Sequence, residues 1–135
     1  MILVVDSQGG GIGRAVIRSL KQHFPDNEIV AIGTNGVATS AMLKAGADQA
    51  ATGENAVVVT AKKADVIIGP IGIVIADSLL GEITPKMALA IGQSNAKRIL
   101  IPVNHCDNII VGVPDLTLGK LVDNVIFEIK NLKDQ

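Results

Sequence analysis

The chain has 135 residues, the length of one domain. Its hydrophobic fraction of 48% rises to roughly 58% once the 14 glycines are added, above the ~45–50% usual for soluble domains; this excludes disorder and points to elements buried on more than one side. Twelve basic and 13 acidic side chains leave a net charge of −1, and there are two phenylalanines but no tyrosine or tryptophan, so the electrostatic footprint and stacking platforms of a nucleic-acid binder are missing, as is tyrosine-based acid–base chemistry.

A single cysteine cannot form an internal disulfide. The first apolar run, Ile2 to Val5, ends at Asp6 and does not have the form of a secretory leader. The longest uncharged apolar run lies between Asp65 and Asp77 and falls well short of the ~18–20 residues that span a bilayer. These features predict a soluble cytoplasmic protein with no membrane partner.

In chain order, Ile2–Val5 reads as a buried strand. Val16, Ile17, Leu20 and Phe24 then fall at helical spacing, closed by Pro25. Glu28–Ile32 is a second strand. Val37–Ala45 is a helix with Gly46 placed to cap its end, and Gln49–Thr52 is a short third strand. Residues 54–64 are ambiguous, because Val57-Val58-Val59 favours strand. A parallel crossover needs about a dozen residues, usually helical, and the expectation is therefore helix. Asp65–Gly69 is the fourth strand, and Ile73–Leu80 a short buried helix ending at Gly81. Thr84-Pro85 starts a helix, with a hydroxyl N-cap and proline at its first position, that runs to about Asn95. Arg98–Val103 and Ile109–Val113 are strands five and six. The five residues between them are too few for a parallel crossover, so these two are expected as an antiparallel hairpin. Pro114-Asp115 opens the last helix, reaching about Leu132, with Leu118, Val122, Val125, Ile129 and Leu132 in one stripe. That stripe packs on the sheet, or also serves a homodimer. The alternation implies one α/β domain over 1–135: a doubly wound, Rossmann-like, mostly parallel sheet of about six strands in the order 3-2-1-4-5-6, last strand antiparallel, with helices on both faces.

Chemistry concentrates in Ser7, Gln8, Gly9, Gly10, Gly11, Ile12 and Gly13, between a strand and a helix. Residues without side chains let an anion approach the backbone, and the first amides of a helix lack intrahelical acceptors. Arg14, in the first turn, is a cation at the positive end of the helix dipole, which favours a nearby negative charge. Aligned on G-x-G-x-x-G, the loop has Gln8 at the first glycine position. Aligned on G-x-x-x-G-I-G, it resembles the cofactor loop of short-chain dehydrogenases, with Ser7 at the first glycine. That resemblance implies an NAD(P)-type or other nucleotide ligand over the first thirty or so residues. The catalytic Tyr-x-x-x-Lys pair of that family has no counterpart in a chain without tyrosine. Gly33, Thr34 and Asn35, at the end of strand two, are candidate cofactor-binding residues that lack the carboxylate usual for ribose, with Thr34 and Asn35 free to bond a ribose or to tolerate a 2′-phosphate.

If the strand order holds, Gly69, Pro70, Ile71 and Gly72 form a second wall of the same crevice. Thr52-Gly53-Glu54-Asn55 follows strand three and either lines that edge or caps a helix. Asp6 is read as a carboxylate that either staples the loop amides or faces a hydroxyl or metal. Asp77 and Ser78 are either satisfied by backbone or directed into the cleft. An alternative function is a small-metabolite enzyme without a dinucleotide, with Asp6, Asp77 and Glu82 as acid–base groups; another is a non-enzymatic homo-oligomeric regulator. His105-Cys106-Asp107, with His23 elsewhere, lacks a zinc spacing and identifies no metal site.

Three stretches, Gln8–Gly13, Ala31–Asn35 through Met42–Asp48, and Gly69–Thr84, make nearly the whole chain similar to a bacterial family known only as a domain of unknown function. Serine at position 7 is a departure from that family's glycine. The resemblance implies a compact, stand-alone intracellular protein and carries no activity, cofactor or catalytic residue.

Overall fold

The computed structural model describes residues 1–103 and 107–134. Five strands, β1 Ile2–Asp6, β2 Ile29–Gly33, β3 Gln49–Thr52, β4 Val66–Pro70 and β5 Lys97–Ile101, form one sheet in the order β3-β2-β1-β4-β5. All four pairings are parallel. Five α-helices connect and cover them: α1 Gly11–His23, α2 Gly36–Lys44, α3 Glu54–Ala61, α4 Pro85–Gln93 and α5 Leu118–Lys133.

Period-two alternation feeds two cores. Ile2, Val4, Ile29, Ala31 and Ile68 pack against α1, α2 and α5, while Leu3, Val5, Val30, Ile32 and Ile67 pack against α3 and α4. A sheet buried on both faces needs apolar residues at every position of its central strands, and β1 and β2 are buried throughout. Asp48, just before β3, accepts hydrogen bonds from Lys21 Nζ at 2.7 Å and the Ile29 amide at 2.8 Å, tying α1 to the start of β2.

Two expected elements are absent among the described residues. No sixth strand forms at Ile109–Val113, and the sheet ends at β5 without an antiparallel hairpin. Ile109 and Val111 are almost wholly exposed, whereas Val103 and Leu116 pack on the core near α5. The segment returns the chain to the α1 face instead of pairing, and Pro114 has no N–H to give a ladder. The apolar stretch Ile73–Leu80 is not a helix: a 3-10 turn, Ile71–Val74, passes into consecutive turns. Asp77, Leu79, Leu80 and Gly81 have φ of 64°, 57°, 59° and 82°. Left-handed backbone at these positions breaks a right-handed helix. The last helix begins later than expected, at Leu118 with Thr117 as N-cap, and buries Leu121, Val122, Val125, Ile126 and Ile129; Leu118 itself is 40% exposed.

Candidate functional site

The topological switch lies at β1, whose neighbours are β2 and β4. The turn from β1 into α1 is shaped by glycines of two kinds. Gly10 has φ 73°, and a Cβ there would lie 2.8 Å from Ala38 Cα; at Gly13 a Cβ would lie 2.5 Å from Met42 Sδ. Both are demanded by packing against α2. Gly9 and Gly11 differ: neither has a left-handed φ, and nothing stands within 4 Å of a Cβ at either. Gln8, at the first glycine position of the G-x-G-x-x-G alignment, is itself left-handed at φ 52°. Glycine would meet no steric penalty at that conformation; glutamine bears one.

Most loop amides are taken. Buried Asp6 accepts from the Ser7 amide through Oδ1 and from the Gly13 amide through Oδ2, both at 2.7 Å. Burial pushes its carboxyl above the usual range, a rise opposed by the bonds from Gly13, Ser7 and Ile12 and reinforced by Glu82. Asp6 thus acts as the staple expected of it. The Gly10 amide bonds the Ser7 carbonyl and the Arg14 amide the Gly10 carbonyl. Among the described residues the amides of Gly9 and Gly11 have no protein acceptor. Both residues line an open cleft of about 290 Å³ with Asp6, Ser7, Gln8, Gly10, Ile12, Arg14 and Leu118.

Glu82, Thr34 and Asn35 are not among the residues that line this cleft, but Glu82 is tied to it through Gln8. Glu82 Oε1 accepts from Asn35 Nδ2 at 2.6 Å and Thr34 Oγ1 at 2.8 Å, and its Oε2 from the Gln8 amide at 3.1 Å. Burial works against the charge, yet the bonds from Asn35, Thr34 and Gln8 outweigh it and hold the carboxyl below its ordinary value. The carboxylate that the sequence lacks at the end of β2 is therefore brought there from the segment between β4 and α4. Oε1 carries two short bonds, whereas Oε2 carries one and retains acceptor capacity.

The other expected positions divide. Gly33 is buried, and a Cβ there would lie 2.5 Å from the Thr39 amide nitrogen. Gly69 faces the Val5 carbonyl, 2.5 Å from where its Cβ would be, and Gly72 is packed against Ser78 and Leu79. Neither these two nor Pro70 and Ile71 are among the residues that line the loop cleft. Ser78 is buried and donates to the Gly72 carbonyl; Asp77 is exposed, and its amide donates to the Ile83 carbonyl at 2.7 Å. Gly53 caps α3, Thr52 meets the Thr39 hydroxyl at 2.7 Å, and Glu54 accepts from Thr84 Oγ1 at 2.6 Å. Asp107 is exposed, while His105 and Cys106 lie outside the described residues. Among the described residues no group of three His, Cys, Asp or Glu is placed to hold a metal, and no helix is long and apolar enough to cross a membrane. Leu118 was not anticipated in the cleft; no local signal marks it, because α5 reaches α1 only through the fold.

No curated protein matches the chain. One family model does, over residues 1–134, described as Domain of unknown function (DUF3842). With that match over almost its full length, and the parallel α/β sheet built above, the chain belongs to the DUF3842 family.

Proposed function

We propose that this chain binds a nucleotide at the β1–α1 turn, with a phosphate on the Gly9 and Gly11 amides beside Arg14. The observation that carries the reading is the contrast among the loop glycines. Gly10 and Gly13 are accounted for by packing; Gly9 and Gly11 are not, and among the described residues their amides are left without acceptors. A bare backbone with free donors at a helix start is what a phosphate requires. Glu82 supports the ribose half of the reading: its Oε2 has acceptor capacity for a hydroxyl, and its charge disfavours a 2′-phosphate. NAD and unmodified nucleotides are thereby preferred over NADP. Asp6 shapes the loop and is not assigned acid–base work, since both its oxygens hold amides.

Thermal unfolding with NAD, NADP, ATP, S-adenosylmethionine and coenzyme A tests this. A ligand at 100 times its dissociation constant stabilises by about 2.7 kcal/mol, a clear rise in Tm. Gly9→Ala and Gly11→Ala should fold normally and lose that rise. Flat curves across the panel, or a rise that both variants keep, would remove the proposal.

A further inference from the structure

Outside the loop cleft, α1 and α2 enclose a groove of about 420 Å³ lined by Arg14, Arg18, Val37, Ser40, Ala41, Lys44 and Ala45. Arg14 and Arg18 are four residues apart on α1, and Ser40 and Lys44 four apart on α2, so each pair occupies one face of its helix. Three cations and a hydroxyl thus converge, and no carboxylate belongs to the lining. Neighbouring Lys21, also on α1, is paired with Asp48, but Arg14, Arg18 and Lys44 form no ion pair among the described residues. Like charges at that spacing destabilise a helix slightly unless a counter-charge is present.

We infer that this groove is a second anion site, selective for a phosphomonoester. Two guanidinium forks and one ammonium match a phosphate dianion, and planar forks bind its oxygens in pairs. Ala41 and Ala45 keep the groove between the helices open for the group, and Val37, 69% exposed, offers an apolar rim for the uncharged part of the ester. A nucleic acid does not fit: the whole chain has net charge −1, and three cations in one short groove are not an extended basic stripe. Arg14 also borders the loop cleft, but Arg18 and Lys44 do not. The inference does not depend on nucleotide binding at the loop.

The test is a titration of the isotopically labelled full chain with phenyl phosphate, followed by amide resonances. Saturable shifts are expected at Val37, Ser40, Ala41 and Lys44. The double variant Arg18→Gln/Lys44→Gln, altered only at exposed positions, should melt as wild type does and weaken these shifts about tenfold or more, the loss expected for charge-assisted bonds. Gly9→Ala should leave them in place. Shifts that never saturate, or that the double variant retains, overturn the inference. Shifts confined to Gly9–Ile12 also overturn it while leaving the loop reading intact; groove shifts with a silent loop support it, and the loop reading is then decided by the nucleotide panel alone.

Discussion

Buried Asp6 is the residue on which the loop's shape depends most. Its two oxygens satisfy the Ser7 and Gly13 amides at 2.7 Å each. An unsatisfied buried donor costs ~1–3 kcal/mol, so Asp6→Ala, which orphans two, should lose about 3 kcal/mol of unfolding free energy. Asp6→Asn keeps one acceptor oxygen and should lose roughly half as much. Urea denaturation measures both; an alanine variant within about 0.5 kcal/mol of wild type would mean that water or the chain replaces the carboxylate. A similar contrast separates Gly10 from its neighbours. Gly10→Ala must accept a left-handed alanine with Cβ 2.8 Å from the Ala38 backbone, whereas Gly9→Ala meets nothing within 4 Å. Conformational strain alone costs ~1–2 kcal/mol at the first site, before the clash is added.

Among the elements, α3 shows how a fold overrides propensity. Val57-Val58-Val59 prefers strand, yet β3 and β4 are both parallel members of the sheet and the connection between them must cross over it. The helix buries Val57 completely and leaves Val59 42% exposed. Val57→Ala is therefore expected to destabilise by about 2 kcal/mol through lost burial and the cavity left behind. Val59→Ala should raise stability by a few tenths of a kcal/mol, roughly the difference in helix propensity. Destabilisation by both would contradict the one-sided burial of this helix. The opposite outcome met Ile109–Val113, where β-branched residues give a strand signal but the chain turns, with Gly112 left-handed at φ 78°, and leaves the outer edge of β5 unpaired among the described residues. At Ile73–Leu80 the apolar run predicts a short buried helix; Ile73 and Leu79 are buried but Leu80 is exposed, and left-handed residues at positions 77 and 79–81 turn the chain instead of winding it.

At the scale of the whole molecule, Glu82 joins the β1 turn, the end of β2 and the β4–α4 segment. Its carboxyl lies below the ordinary 4.5 in the folded chain. The stability it contributes is therefore full above 4.5 and is lost as pH falls through the lower folded value. Asp6 works in the opposite sense: raised above 3.8, it makes folding less favourable as pH rises through the interval between 3.8 and its folded value. Glu82→Gln should be less stable than wild type near neutrality, and the difference should shrink as pH drops below 4.5. Denaturation midpoints measured across that range check this; a difference independent of pH would show that the charge on Glu82 is not what holds the three segments.

Period-two and period-3.6 patterns along the chain were enough to establish the strand–helix alternation, the Thr84-Pro85 helix start and the glycine turn after β1, because these follow from local sterics and from which residues must leave water. The loop's candidate residues were legible for the same reason, as was Asp6, whose carboxylate binds amides one and seven residues away. Glu82 on Thr34 and Asn35, which residues line the loop cleft, and the convergence of Arg18 with Lys44 were decided only by tertiary structure. Each joins residues more than 20 positions apart or depends on which neighbours fill a crevice, and such contacts are set by how elements pack, for which the linear order of side chains holds no period to read.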